Sequence, residues 1–300
     1  MRDTWTDHTS WPIDFTANSI TVDPTNPHVI YVAGCTGGNP TCVMGSVTGR
    51  HMLLHSTDGG RSWHDALSYR PSSGAVVPLQ AYSVAVDPHN GRRVYACTAG
   101  PGMLFSNDGA RTWHGGVQPG RESVPCEVLM DPRRSRVIYS LDRHGKVYRS
   151  TDAGVHWMLR SAFGYISGQM LTSLTILGGT LYVTANKGLY ASTDGGTHWR
   201  LVKPEPIADG SMLQSIRGAG GWITAVANRQ GTPPEGLYVA RDGQRWQVAA
   251  FTDLRGPKYF GALDLAAYGD SATRMWEDHT ARIVFTAGGL GGLYRWSSGL

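Results

Sequence analysis

The chain has 300 residues, of which 41% are hydrophobic and 17% are charged, and its formal net charge is +4. No run of Lys or Arg is longer than two residues, so the sequence has no clustered basic face of the kind that binds nucleic acid. No apolar stretch approaches the roughly 18 residues that span a bilayer, and we expect no signal peptide because the opening MRDTWTDHTS has no apolar segment. The 39 glycines, 10 tryptophans and 13 tyrosines favour turns and strands over helices.

The first predicted element is a short strand around Trp5, in the segment RDTWTD. Three copies of a longer pattern follow: an alternating apolar strand, an Asp-Pro turn and a second strand, at 19–34, 83–100 and 127–145. Later copies, at 173–188, 215–231 and from 262 onward, lose the Asp-Pro pair but keep the alternation. Because side chains alternate between the two faces of a strand, this period of two predicts strand, turn and strand in each copy.

A second motif follows the strand pairs. It reads LLHSTDGGRSW at 53–63, MLFSNDGARTW at 103–113, VYRSTDAGVHW at 147–157, LYASTDGGTHW at 189–199 and, in degenerate form, LYVARDGQRW at 237–246. We expect each aspartate to accept hydrogen bonds from the backbone of its own turn, the next Gly to adopt positive φ, and the Trp to plug the following strand. The structural aspartates are Asp58, Asp108, Asp152, Asp194 and Asp242.

These turns resemble the Asp-box repeats of sialidases, oligoxyloglucan hydrolases, sortilin-type receptor domains and photosystem II assembly factors. The resemblance covers essentially the whole chain and implies a β-propeller. It implies little about activity, because the boxes of that superfamily lie away from the active face and a fold alone does not define a function. A typical sialidase is not expected, since the sequence lacks an Arg-Ile-Pro start.

The repeat length sets the predicted architecture. The structural aspartates recur every 42 to 50 residues, which is the length of one four-stranded propeller blade. Six copies of the first strand lie near Ile20, Val84, Val128, Leu174, Ile216 and Leu263. The sixth copy ends without a fourth strand, which the segment around Trp5 is expected to supply. We therefore predict a single domain over 1–300, an all-β six-bladed β-propeller of four-stranded blades, closed by pairing of the N- and C-terminal strands.

Propeller ligands usually meet the loops at one end of the central channel, and several such loops here are long and rich in aromatic and charged residues. Hydrolysis of a glycosidic bond needs two carboxylates flanking that bond. The candidate catalytic residues are Glu122, Asp142 and Asp253. The candidate ligand-binding residues on the same face are Tyr69, Arg70, Tyr82, Arg121, Arg143, His144, Tyr165, Lys258 and Tyr259.

Two charged residues replace small or apolar residues on the predicted innermost strands. Arg217 and Asp264 stand where earlier copies have residues such as Thr21 and Ala85. Because their blades are predicted neighbours, we expect an ion pair between them at the channel. Such a pair can be structural, compensating two buried charges, or can contact a ligand in the channel.

The four cysteines give two expectations. Cys35 and Cys42 bracket a short Gly- and Pro-rich segment, where a disulfide or two free thiols are equally compatible with the sequence. A disulfide would suit an extracytoplasmic or secreted protein. Cys97 and Cys126 lie in predicted strands and are interpreted as buried apolar residues.

Two functions remain open from the sequence. The first is a ligand-binding or assembly propeller that holds a glycan, peptide or protein on its loop-rich face. The second is a carbohydrate-active hydrolase or lyase with carboxylates and tyrosines on the same face. No metal-ligand spacing and no cofactor-binding motif is present, so neither a metal nor a cofactor is predicted.

Overall fold

In the computed structural model the chain forms strands and turns, and the structure describes seventeen segments of it. They are residues 4–7, 15–36, 50–66, 80–99, 101–115, 119–120, 126–142, 144–163, 173–185, 188–202, 211–219, 222–229, 234–240, 247–249, 263–267, 284–288 and 292–297. Over these segments no helix is long and apolar enough to cross a membrane.

The strands form six antiparallel sheets, numbered here along the chain. The first strand, β1 (Thr4–Asp7), belongs to the last sheet. Sheet 1 contains β2 (Phe15–Asp23), β3 (Asn26–Thr36), β4 (Arg50–Ser56) and β5 (His64–Asp65). Sheet 2 contains β6 (Gln80–Asp87), β7 (Asn90–Ala99) and β8 (Met103–Ser106), with a single bridge from Phe105 to His114 in place of a fourth strand.

Sheet 3 contains β9 (Cys126–Asp131), β10 (Arg134–Asp142), β11 (Lys146–Ser150) and β12 (Met158–Ala162). Sheet 4 contains β13 (Ser173–Leu177), β14 (Thr180–Ala185), β15 (Gly188–Ser192) and β16 (Arg200–Val202). Sheet 5 contains β17 (Ser211–Ala219), β18 (Trp222–Arg229), β19 (Pro234–Ala240) and β20 (Gln247–Ala249). Sheet 6 contains β21 (Leu263–Ala267), β22 (Val284–Gly288), β23 (Gly292–Ser297) and then β1.

These sheets make an all-β propeller of antiparallel four-stranded blades. Sheets 1 to 4 are described with most of their side chains, whereas sheets 5 and 6 are described almost entirely as backbone. The first strand of each described blade is innermost, with β2 beside β6, β6 beside β9 and β9 beside β13. The strand expected at Trp5 is present as the outer strand of sheet 6, where Trp5 lies opposite Trp296.

The predicted turn chemistry is confirmed at four Asp-box turns. In the first, the Asp58 carboxylate accepts the backbone N–H groups of Arg61 and Ser62, each at 2.9 Å, and the Ser56 hydroxyl at 2.8 Å. The same three hydrogen bonds recur at Asp108 and Asp194, and Asp152 accepts the Ser150 hydroxyl and the backbone N–H of His156. The fifth box aspartate, Asp242, lies outside the described residues.

Hydrogen bonds to the charged form lower the pKa of each of these four carboxyls well below its usual range. The largest contribution comes from the Ser62 hydroxyl at Asp58 and from the Thr112 hydroxyl at Asp108. At Asp152 and Asp194 it comes from the backbone N–H of the histidine four residues later. The four carboxylates therefore stay ionised as parts of their turns.

Each Asp-box turn needs two consecutive left-handed residues, which the sequence reasoning missed. Gly59 has φ of 77°, and Gly60 after it has φ of 90°. Alanine occupies one of the two positions in the second and third turns, where Ala110 and Ala153 both have φ of 65°. Since a Cβ makes this region unfavourable, both alanines carry backbone strain.

Sheets 1, 2 and 3 each contact the next blade through a buried tyrosine on their second strand. Tyr95 of sheet 2 packs against Gly154 in the Asp-box turn of sheet 3, and its hydroxyl donates to the carbonyl of Ala153 at 3.4 Å. Tyr31 and Tyr139 meet the boxes of the following sheets in the same way, at Gly109 and Gly195. Burial raises the pKa of Tyr95 to about 12, so this phenol remains a neutral donor.

One interpretation of the sequence is wrong. Cys97 and Cys126 are both buried, as expected, but they form a disulfide with their Cα atoms 5.9 Å apart. The bond links β7 of sheet 2 to the start of β9 in sheet 3, and so joins two blades covalently. The Cys35–Cys42 expectation lies outside the described residues, because Cys42 and the side chain of Cys35 are not described.

Candidate functional site

The two ends of the propeller differ in what they present. At one end β9 begins and β10 ends, and Cys126 pairs with Asp142 there. At the other end lie the tight turns between these strands, where Asp131 pairs with Arg134, and the Asp-box turns. In sheet 3 the Asp-box turn therefore lies at the end opposite to the start of β9 and the end of β10, which is called the loop-rich end here.

The innermost strands are held together by side chains at one repeated position near the loop-rich end. The Ser83 hydroxyl on β6 accepts the backbone N–H of Val128 on β9 at 3.2 Å. On the next strand the equivalent residue is Glu127, whose Oε2 accepts the backbone N–H of Leu174 on β13 at 2.6 Å. The Ser173 hydroxyl continues the series by donating to the carbonyl of Ile216 on β17 at 3.3 Å. In sheets 2, 3 and 4 one such side chain thus bridges to the next blade.

Glu127 gives this series a negative charge. Its side chain is half-buried, and the Ser173 hydroxyl lies 3.4 Å from Oε1. A carboxylate that accepts a backbone N–H at 2.6 Å makes a strong charge-assisted hydrogen bond and is fixed in position. Sequence reasoning could have found this residue, since Glu stands where other copies have Ser, but its reach to the next blade is a property of the fold.

Asp142 is the candidate catalytic carboxylate that the structure describes. It is buried, and its Oδ1 accepts the backbone N–H groups of His144 at 2.9 Å and Lys146 at 2.8 Å. Its carbonyl accepts the N–H of Gly145 at 3.0 Å. The described bonds of Asp142 are those of a turn carboxylate that shapes the β10–β11 hairpin.

Two of the candidate binding residues are also described. Tyr82 is buried on β6, at a register shift between Ala81 and Ser83. His144 is half-buried in the β10–β11 turn, next to Asp142. The structure therefore brings His144 and Asp142 together and buries Tyr82.

The other candidates fall into two groups. Nine of them lie outside the described residues: Tyr69, Arg70, Arg121, Glu122, Arg143, Tyr165, Asp253, Lys258 and Tyr259. Arg217 and Asp264 lie on β17 and β21, two neighbouring strands, but their side chains are not described. The expected ion pair between them stays a prediction.

In its described part, the loop-rich end therefore has a rim of polar side chains that are hydrogen-bonded to backbone groups. Glu127 and Asp142 are both occupied by backbone N–H groups from their surroundings. Over the described residues, no group of three or more His, Cys, Asp or Glu side chains could hold a metal ion. Such a rim can orient a ligand by hydrogen bonds.

A perturbed histidine lies elsewhere, on sheet 1. His55 stacks on Tyr31 with ring centroids 4.4 Å apart, and its Nδ1 lies 3.1 Å from Nε2 of His64. Burial, then the neighbouring His64 and Arg111, lower the pKa of His55 to about 4. In sheet 2 the equivalent pair is Phe105 and His114, so a charge is not needed at this position for the blade to pack.

Comparison with known proteins agrees with this architecture. No protein-family model matches the sequence, and no curated protein matches it. A YCF48 protein solved bound to D1 peptide superposes with a TM-score of 0.61 at 16% identity, over 98% of this chain and 97% of that one. An ancestral GH74 enzyme superposes with a TM-score of 0.62 at 17% identity, over 99% of this chain and 40% of the enzyme.

The GH74 xyloglucanase of Xanthomonas campestris gives a TM-score of 0.58 at 15% identity, over 97% of this chain and 53% of the enzyme. This chain therefore spans about half the length of the GH74 enzymes it resembles and nearly all of the YCF48 protein. At these identities the likeness shows the fold, which is a β-propeller.

Proposed function

We propose that residues 1–300 form one domain, a six-bladed ring closed by its terminal strands. Support comes from the order of the innermost strands, since β13 lies beside β17, β17 beside β21, and β21 beside β2. Support also comes from β1, which completes sheet 6 by pairing with β23 in the register Thr4 to Ser297 through Asp7 to Tyr294. A closed ring leaves no innermost strand without a neighbour.

We further propose that the protein is a ligand-binding or assembly propeller whose loop-rich face holds a peptide, protein or glycan. The observation that carries this proposal is the rim itself, where the described carboxylates Glu127 and Asp142 are fixed by backbone N–H groups. A pre-organised polar rim lowers the entropic cost of binding a ligand. Binding of this kind does not need a side chain that changes its protonation state. The end-to-end likeness to a YCF48 protein bound to D1 peptide favours a peptide or protein ligand among the three.

The second candidate is a carbohydrate-active hydrolase or lyase, favoured by the likeness to GH74 enzymes. It requires two carboxylates across a bound sugar, and the candidates are Glu122, Asp142 and Asp253. Tyr69, Tyr165 and Tyr259 would then stack on sugar rings. The two functions differ in one observable, which is the appearance of cleaved product.

One experiment separates them. The purified protein is incubated with a peptide array and with a mixed polysaccharide library, and mass spectrometry identifies both retained ligands and new products. A binding propeller retains a ligand without cleavage. New products that disappear in both Glu122→Gln and Asp253→Asn establish the enzyme. Retention of nothing from either library contradicts the loop-rich face as a binding site for these ligand classes.

The matched control is Asp142→Asn. Asparagine keeps the Oδ1 acceptor that binds the N–H groups of His144 and Lys146 but removes the charge. If Asp142 acts only in the turn, this variant retains ligand as the wild type does. Loss of binding or cleavage in Asp142→Asn, with an unchanged melting temperature, would instead place its charge in the functional site.

We also propose an oxidising, extracytoplasmic location. The support is the buried bond between Cys97 and Cys126, because disulfides persist outside the reducing cytoplasm. Cell fractionation with alkylation of free thiols before lysis tests this. Recovery of the native protein in the cytoplasm with both thiols alkylated would contradict it.

A further inference from the structure

Met158, the first residue of β12, exposes its thioether side chain at the outer edge of sheet 3. It is 62% exposed, whereas the other methionines whose side chains the structure describes are buried, with Met52 at 8%, Met103 at 3% and Met130 at 5% exposed. Oxidation of a methionine by a peroxide needs access to its side chain. Met158 is therefore the described methionine that a peroxide reaches in the folded protein.

The Met158 sulfur lies at the margin of the contact between sheets 3 and 4. Arg149 on β11 stands directly opposite Met158, and directly paired residues of antiparallel strands lie on the same face of the sheet. This face is turned towards sheet 4, since Arg149 Nη1 lies 3.5 Å from the place that a Cβ on Gly195 would take. A second guanidinium lies closer to the sulfur, because Arg160 Nη1 is 3.7 Å from Sδ of Met158.

Arg160 joins sheet 3 to the Asp-box turn of sheet 4 through its other nitrogens. Nε donates to the Gly195 carbonyl at 3.2 Å, and Nη2 donates to the Asp194 carbonyl at 3.2 Å and to the Thr197 hydroxyl. Among the described contacts Nη1 is left with the Met158 thioether, which is a weak acceptor. A stronger acceptor at this sulfur would therefore engage Nη1 without displacing the bonds to sheet 4.

Oxidation converts the thioether into such an acceptor. Hydrogen peroxide transfers one oxygen atom to the sulfur: the O–O bond breaks, an S–O bond forms and water leaves, so the sulfur is oxidised by two electrons and the peroxide is reduced. The sulfoxide oxygen carries a partial negative charge. A hydrogen bond from a guanidinium to that oxygen is charge-assisted and stronger than the contact with the thioether.

We propose that Met158 is a site of modification by peroxides, and that its sulfoxide accepts a hydrogen bond from Arg160 Nη1 and so fixes the guanidinium that joins sheets 3 and 4. Oxidation of a buried methionine weakens a protein, because it places a polar group in an apolar core. At Met158 the effect has the opposite sign, because the new oxygen stays in contact with solvent and lies beside a cation. The site is on the outer edge of the blade and is independent of the ligand proposed for the loop-rich end.

The first part of the test measures which methionines react. The folded protein is treated with hydrogen peroxide, quenched at intervals, reduced and digested with trypsin, and mass spectrometry follows the gain of one oxygen atom. Met158, Met103 and Met130 are each the single methionine of a tryptic peptide, namely 150–160, 94–111 and 122–133. Met158 is expected to react roughly tenfold faster than the two buried methionines, in line with its exposure. Equal rates at the three positions would overturn the proposal.

The second part compares the change in melting temperature on oxidation in the wild type and two variants. Met158→Leu removes the sulfur at similar volume and so controls for every other methionine, while Arg160→Gln keeps the sulfur and removes the guanidinium. The wild type should gain about 1–3 °C relative to Met158→Leu, the size expected of one exposed charge-assisted hydrogen bond in a 300-residue domain, and Arg160→Gln should show no such gain. The proposal is overturned if wild type and Met158→Leu change equally, if oxidation lowers the wild type more than Met158→Leu, or if Arg160→Gln gains as much as the wild type.

Discussion

Removing the disulfide between Cys97 and Cys126 is expected to destabilise the protein without changing its fold. The bond closes a segment with a sequence separation of 29 residues. In the chain-entropy treatment, a loop of this length restricts the unfolded state by about 12 cal/mol/K, or about 3.6 kcal/mol at 25 °C. Unfolding entropy of about 2 cal/mol/K per residue converts this into a fall in melting temperature of about 6 °C for a 300-residue domain.

The double variant Cys97→Ala/Cys126→Ala makes the measurement direct. Alanine suits the first position, because Ala33 stands opposite Ser19 in sheet 1 as Cys97 stands opposite Ser83 in sheet 2. Differential scanning calorimetry gives the melting temperature of both proteins. Trypsin digestion without reductant should yield peptides 94–111 and 122–133 of the wild type as one linked species.

Two results would refute this reasoning. Absence of the linked peptide would show that the blades are not joined by this bond. A linked peptide together with a double variant that melts within about 1 °C of the wild type would show that the bond does not restrict the unfolded chain as the entropy treatment requires.

Three further outcomes are expected. The pKa of His55 is lowered to about 4 from 6.5, so the folded protein binds a proton at this side chain less readily than the unfolded chain does. The free energy of unfolding therefore has its full value above pH 6.5 and loses on the order of 3 kcal/mol as pH falls towards 4. His55→Phe, which copies Phe105 of sheet 2, should flatten that dependence in urea titrations. Gly91→Ala should cost about 1–3 kcal/mol, because the Asp23 carboxylate fills the space a Cβ needs. Ala153→Gly should stabilise by about 0.5–1 kcal/mol, since it relieves a left-handed alanine at φ of 65°.

Each of these three has its own contradicting result. An equal loss of stability between pH 6.5 and 4 in wild type and His55→Phe would assign the acid sensitivity to other groups. A Gly91→Ala protein as stable as the wild type would mean that Asp23 moves aside freely. A less stable Ala153→Gly protein would mean that the unfolded-state entropy of glycine outweighs the strain at this turn.

The sequence by itself predicted the local structure of this protein. Alternation predicted the strand pairs, and the pattern Ser56-Thr57-Asp58-Gly59 predicted a turn whose carboxylate accepts its own backbone. Both features depend on residues within a few positions of one another, so the information lies along the chain. Even there, the need for two consecutive left-handed residues in each Asp-box turn was missed, because alanine takes the second position at Ala110 and the first at Ala153.

Contacts between blades were decided by the tertiary structure. Cys97 and Cys126 meet because the end of one strand and the start of another lie side by side at the loop-rich end of two blades. Glu127 becomes a bridge to Leu174 for the same reason. A periodic sequence specifies what each blade is, but these partners come from different blades and become neighbours only when the blades pack.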